Sequence, residues 1–292
     1  MITFLLATAL LVPTSEPFPS DLTRWIPDGE TPVFAGTGTG TWDAKIRERG
    51  WIMELGGVYH LWYTGYNDAI SGNRFLGHAV SRDGRTWTRD PNNPLRRGSW
   101  VEDMCVVAHE GVLYMFAEGE KDRAHLLTSS DGSQWTERGP LDIRKVDGSP
   151  ISEGPYGTPT AWFENGAWHL LYERGDRGVW LARSTDLRVW TNVQDDPVIP
   201  MGPAAYDREA VAVNQIFKRD GWYYVIYHAN AQRPWKDWTT CIARSKDLIH
   251  WEKFSGNPIV AENCSSGILV STPAGPRLYT MHPAVRVFRP AP

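Results

Sequence analysis

Acidic residues in this 292-residue chain stand ahead of apolar, β-prone runs at recurring points. The entries read "TWDAKIRERG", "SWVEDMCVV", "ISEGPYGTPT", "AYDREAVAV" and "AENCSSG". Four of the five deliver carboxylates: Asp43, then Glu102 with Asp103, then Glu153, then Asp207 with Glu209. A second series follows apolar strand residues and holds Tyr66, Asp68, Glu118, Glu173, Arg174, Asp176, His228 and His282. Ionisable groups at such positions line a cavity more readily than they enter a core unpaired. With Trp51, Trp100 and Trp235 as walls, they describe an acidic pocket with His and Arg donors. Convergent carboxylates and aromatic walls suit cleavage of a glycosidic bond. One carboxylic acid protonates the leaving oxygen while another carboxylate activates water or attacks the anomeric carbon. Crowding like charges raises one pKa so that an acid keeps its proton near neutrality.

Such a pocket needs elements that bring distant acids together, and the chain supplies them as repeats. "SRDGRTW", "SSDGSQW", "STDLRVW" and "SKDLIHW" share Ser, Asp two residues on and Trp four further on; "SDLTRW" at Ser20 is a degraded fifth copy. Between copies run a Pro-containing turn and pairs of strands about a Gly turn, as in "RGWIMELGGVYHLWYTG" and "TPTAWFENGAWHLLYERG". Each unit predicts four short antiparallel strands over roughly 50–60 residues, the size of a propeller blade. Five units make an all-β, five-bladed propeller over residues 19–292. The last unit lacks its box, so the N-terminal strand is expected to complete the last blade and close the ring without a free sheet edge. The box Asp and Ser are read as structural, satisfying turn backbone, with the Trp packed between blades.

The bulk numbers set limits. Fifteen Trp and eleven Tyr suit sheet packing and surfaces that stack on sugar rings. A formal charge of −4 gives no reason to expect nucleic acid or an anionic membrane as partner. Three cysteines lack ligand spacing, and no Rossmann or P-loop glycine pattern appears, so neither a metal nor a cofactor is expected. A structural Ca²⁺ on the propeller axis is compatible with the pattern. The apolar opening "MITFLLATALLVPTS" is too short to span a bilayer and reads as a signal peptide over residues 1–18, implying a secreted or periplasmic protein. The chain is read as a monomer.

Over all five units the sequence resembles the five-bladed propeller glycosidases, which include glycoside hydrolase families 43, 32, 62, 117 and 130. The likeness rests on the "S-x-D-x-x-x-W" strands, the "NP[LVI]" turns and an acid before each inner strand. By resemblance to family 43, Asp43 would be the general base, Asp103 the modulator of the acid's pKa, and Glu153 in "SEGP" the acid. Glu153 sits farther from its Gly turn than that motif allows, and a tighter register puts Gly157 and Thr158 at the strand entry. Glu173 or Asp207 could then be the acid, and the His acid of family 117 relatives brings in His228 or His282. Arg47, Trp51, Trp100, Glu102, Thr158, Arg208, His228 and His282 are the expected substrate contacts. The reading favoured by the sequence is a glycoside hydrolase acting on a terminal bond of an oligo- or polysaccharide. The alternatives are a glycoside phosphorylase, for which Arg47, Arg49 and Arg208 would supply the cations, and a sugar-binding propeller without catalysis.

Overall fold

A computed structural model of the chain describes residues 16–38, 40–70, 74–97 and 100–292. The signal-peptide reading therefore lies outside the described residues up to position 15. Five small sheets follow one another along the chain. Their innermost strands are Trp51–Leu55, Glu102–His109, Gly157–Glu164, Ala210–Arg219 and Ile268–Thr272. Each is followed by an antiparallel partner: Val58–Tyr66, Val112–Gly119, Ala167–Glu173, Trp222–Asn230 and Gly275–Thr280. In blades 1 to 4 the hairpin between them turns through two residues of positive φ: Gly56-Gly57, Glu110-Gly111, Asn165-Gly166 and Asp220-Gly221. Both central residues in the left-handed region is the turn whose twist matches that of paired strands.

The ring closes as the sequence implies. Trp25–Pro27 pairs antiparallel with Arg286–Pro290 and becomes the outer strand of blade 5. Ser20–Thr23, in the degraded box, forms one helical turn instead of the box geometry. Blade 3 exceeds four strands: Asp142–Arg144 adds in parallel to its outer strand, and Ile199–Pro200 pairs with its third.

The four intact boxes share one arrangement. Ser81 Oγ donates to Asp83 at 2.9 Å, and the same carboxylate accepts the backbone N–H of Arg85 and Thr86 at 2.7 Å each. Asp131, Asp186 and Asp247 repeat it. These bonds hold the carboxylates of Asp83, Asp131 and Asp186 below the usual range, and the His250 side chain together with the same bonds does so for Asp247. The box Trp then packs between neighbours: Trp190, fully buried, meets Phe116 of blade 2 edge-on. Blades are also laced through the box turns, with Trp62 Nε1 donating to Gly132 O at 2.8 Å and Tyr279 OH to Gly84 O at 3.1 Å. The apolar cores accordingly lie between adjacent blades.

One side chain reaches across the axis. Arg49 precedes the inner strand of blade 1 and is fully buried. Its Nη1 donates to Thr160 Oγ1 at 2.7 Å, Val213 O at 2.9 Å and Asn214 O at 3.0 Å. Its Nη2 donates to Pro159 O at 2.6 Å and to Asp103 O. A single guanidinium thus ties blade 1 to blades 2, 3 and 4.

Replacing Asp131 by Ala should remove the oxygen that accepts two turn N–H groups and cost about 1 kcal/mol, lowering Tm by about 2–4 °C. Scanning calorimetry reads this, and catalytic turnover should not change. A loss of turnover at unchanged Tm would contradict a structural role for the boxes.

Candidate active site

The inner strand of blade 1 is broken where it meets the axis. Lys45–Ile46 and Trp51–Leu55 both pair with Val58–Tyr66, yet four residues separate Ile46 from Trp51 while two separate their partners Gly65 and Trp62. The extra length carries Arg47, Glu48 and Arg49, with Glu48 at φ 60°. Arg49 enters the axis, while Arg47 and Glu48 turn into a cavity of about 520 Å³ at its mouth.

Blades 2 and 3 are kinked in the same way. The register slips between Glu102 and Cys105 and between Gly157 and Thr160. Asp103 (φ 45°) and Thr158 (φ 44°) occupy equivalent left-handed positions. Such a conformation costs a non-glycine residue of order 1–3 kcal/mol and persists where the surroundings impose it. Here Arg49 imposes it on Asp103, donating its own N–H to Asp103 Oδ1 at 3.0 Å and its guanidinium to the Asp103 carbonyl.

The strands next to them add Glu118 and Glu173. Glu118 accepts the Thr158 N–H at 3.1 Å, and Glu173 accepts the N–H of Gly157 at 2.9 Å and of Asp176 at 2.5 Å. Both carboxylates lean into the space a Cβ at Gly157 would fill. Glu102 accepts from Trp100 Nε1 at 2.5 Å and pairs with Arg74 Nε at 3.1 Å. Asp176, Asp122, His228 and His282 complete the cavity, with Trp100 on one wall and Trp235 and Trp238 on another.

Burial dominates the titration of this cluster. Asp103 is pushed up to about 7 by burial and then by the charge of Glu48, against the pull of Arg49. Glu173 rises to about 8 through burial and Asp176, and Asp176 to about 6 through burial, Glu48 and Asp122. Glu102 and Glu118 are also driven well above the carboxylate range, by burial first. His228 falls to about 3 through burial beside Arg49 and His282, so its imidazole is neutral.

Two guanidiniums share the acidic chamber. Arg47 and Arg74 lie 5.1 and 5.7 Å from the centre of the Tyr66 ring, and Arg74 also covers Trp100 at 3.5 Å. Both line the cavity and Arg47 repels Arg74; two guanidiniums in one chamber suit an anion. Glu48, Glu102 and Asp103 place oxygens within 4.8 Å of one another, the spacing of a metal cage. Arg47 on Glu48 and Arg74 on Glu102 already provide the countercharge there.

Of the residues expected from sequence, Asp103, Glu173, Arg47, Trp100, Glu102, Thr158, His228 and His282 line this cavity. Asp43 does not. The neighbouring Trp42 lies over Gly65 and Gly77, where any Cβ would meet its ring, and this draws the turn onto the face of blade 1. Asp43 is locked there, accepting from Arg89 Nε at 2.9 Å and Tyr63 OH at 3.0 Å. Asp207, in the 3₁₀ turn Ala205–Asp207, is fully buried against Lys253 Nζ at 2.5 Å within blade 4. Glu153 is exposed on the rim because its strand begins only at Gly157. Trp51 belongs to the core between blades, and the exposed Arg208 donates to Ala231 O at 2.7 Å. Glu48, Arg74, Asp122 and Trp238 were not singled out from sequence. The charged run "RER" directly before "GWIMEL" was the available signal for Glu48; Arg74 opens a third strand, a position that no acid series marked.

No family model matches the chain. It is 28% identical over 249 residues to a 1,2-β-oligomannan phosphorylase of Thermoanaerobacter sp. (strain X514), covering 73% of this chain and 79% of that protein. Among solved structures, a putative glycosidase from Bacteroides thetaiotaomicron superposes with TM-score 0.72 at 19% identity, over 94% of this chain and 99% of that one. The β-1,2-mannobiose phosphorylase of Listeria innocua, in complex with β-1,2-mannobiose, gives 0.67 at 15% identity, over 91% and 95%. A structure described under the GH130 family of mannoside phosphorylases, which contains hydrolases of β-1,2 mannosidic linkages in Candida mannan, gives 0.66 at 15%, over 92% and 97%. The fold is the five-bladed propeller of these proteins. The expectation of hydrolysis is corrected by these comparisons: a curated relative is a phosphorylase, and a β-1,2-mannobiose phosphorylase stands among the structural neighbours.

The raised carboxyls also set a pH dependence. In the unfolded chain these groups release protons near pH 4; folded, Asp176, Asp103 and Glu173 hold them to about 6, 7 and 8. The native state therefore binds more protons across that window, and stability is lost as pH rises through it. Tm should fall between pH 5 and pH 8, and Glu173→Gln should flatten the fall and raise Tm at pH 8. A Tm that rises over this range would contradict the burial of neutral carboxyls.

Proposed function

We propose that the protein is a glycoside phosphorylase that transfers a terminal glycosyl unit of a β-1,2-linked mannooligosaccharide to inorganic phosphate. The observation that carries this reading is the pairing, in one cavity, of a buried acid poised near neutrality with two adjacent guanidiniums and without Asp43, the carboxylate assigned as the base for water. Phosphate at neutral pH is already an anion and needs no base; it needs cations to hold it against the surrounding acids. The linkage and sugar are taken from the phosphorylase relatives.

Asp103 supplies the proton to the departing glycosidic oxygen as its bond to the anomeric carbon breaks. A phosphate oxygen, held by Arg47 and Arg74, forms the new bond to that carbon. The proton of hydrogen phosphate then restores Asp103, so the exchange balances without an outside base. One oxygen of Asp103 accepts the Arg49 N–H; no hydrogen bond reaches Oδ2 among the described residues, which leaves it for the substrate. Glu118 and Glu173 are fixed by backbone amides and suit hydroxyl recognition. The neutral imidazoles of His228 and His282 offer further hydroxyl partners, and the tryptophans offer ring faces.

Incubation with β-1,2-mannobiose or -triose should consume the sugar only when phosphate is present and release a glycosyl phosphate, followed by phosphorus NMR. Asp103→Asn should lower kcat by about 10²–10⁴-fold. Arg74→Gln should raise the KM for phosphate at least tenfold, with a smaller effect on the KM for sugar. Equal turnover without phosphate would overturn the proposal.

A further inference from the structure

A second cleft opens beside the catalytic cavity, between blades 3 and 4. It encloses about 440 Å³ and shares Pro155, Gly175 and Trp235 with that cavity, so the two form one groove. Its walls carry Arg174, Arg177 and Arg233, two tryptophans (Trp180 and Trp235), and one acid, Glu153. Three cations line it with one carboxylate, and Glu209 pairs with Arg233 from outside the lining, which still contrasts with the seven carboxylates of the chamber next door.

The three cations differ in how far they are already engaged. Arg174 Nη2 is fixed by Ser152, donating to its carbonyl and hydroxyl at 2.9 Å each. Arg233 rests on the Trp235 ring at 4.6 Å and shares Glu209 at 3.2 Å. The exposed Arg177 side chain makes no hydrogen bond or ion pair among the described residues. All three stand on the loops that follow the second strands of blades 3 and 4, so the sheets fix their roots.

An aromatic wall links this cleft to the reacting centre. Trp235 is 40% exposed, a large apolar surface left to solvent. It stacks on Trp238 at 5.6 Å, and Trp238 meets His228 edge-on at 5.1 Å. The exposed part of an indole at the mouth of a polar groove offers apolar contact to a sugar, while clustered guanidiniums suit a carboxylate or phosphate monoester.

We propose that this cleft is a subsite for an anionic sugar residue: the glycan runs from the axial cavity over Trp235, and Arg174, Arg177 and Arg233 receive its charged substituent. The inference rests on the glycan reading above for the neutral part of the ligand. Phosphate esters and uronates share the required chemistry, and the test separates them.

The intact protein is titrated by calorimetry with β-1,2-mannobiose, with the same disaccharide bearing one 6-phosphate, and with the same disaccharide oxidised at one C6 to the carboxylate. At least one charged probe should bind tenfold or more tightly than the neutral sugar at low salt, and the tighter of the two identifies the substituent. The advantage should shrink in 0.5 M NaCl through screening. It should disappear in the Arg174→Gln/Arg177→Gln double variant and weaken in Arg177→Gln alone, an exposed change that leaves the fold untouched, with phosphorolysis of the neutral disaccharide preserved in both. Neutral and charged probes binding alike, or a charge preference that survives the double variant, would overturn the subsite. A charge preference erased by the double variant, with no binding of the neutral disaccharide, would support the subsite and overturn the mannoside reading; no binding by any probe would overturn both.

Discussion

A guanidinium buried at the centre of a protein costs stability unless its donors find acceptors. Both Nη atoms of Arg49 find them, collecting carbonyls and a hydroxyl from blades 2, 3 and 4 that only a closed ring brings together, while its Nε has no partner among the described residues. Burial lowers its pKa, while Asp103, Cys105 and Glu118 favour its charge. The same residue, through its backbone N–H, holds the strained Asp103 at the mouth of the axis. The closure of the fold and the aim of the acid therefore rest on one side chain.

The chamber above Arg49 is built against electrostatic preference. Seven carboxylates, from Glu48 to Asp176, face it, with Arg47 and Arg74 as its charged counterweights. Burial and mutual repulsion keep several of them protonated where isolated carboxyls would be ionised. The strain is offset elsewhere, in apolar cores between blades and in box turns that satisfy their own backbone. A pocket of neutral acids and paired guanidiniums can admit an anion that a fully ionised pocket would repel. This reconciles an acidic cavity with the proposed phosphate acceptor.

Much of the architecture was legible in the sequence because propeller blades are short-range objects. Box, hairpin and turn are each specified within a few residues, and the displaced "SDLTRW" announces closure. The site was less legible because it depends on where strands actually begin. Counting from the motifs aligned Asp43, Glu153 and Asp207 with Asp103. Trp42 packing on two glycines, a late strand start at Gly157 and a 3₁₀ turn before Ala210 moved those three carboxylates elsewhere. Asp103 survived the alignment because it lies inside its strand, at a bulge. Glu118 and Glu173 follow directly from register, since they pair with Glu102 and Gly157. Arg74 owes its place to a cross-strand pairing with Tyr66 that no local pattern encodes, while Glu48 had only the charged run beside it as a signal.

The central claim is that Asp103 is a proton donor at neutral pH because burial and Glu48 outweigh Arg49. It is tested most directly by titrating that carboxyl in the resting protein, using carbon-13-labelled aspartate and the difference spectrum between wild type and Asp103→Asn. That carboxyl should give a resonance that titrates near pH 7. A carboxylate that stays ionised down to pH 5 would contradict it.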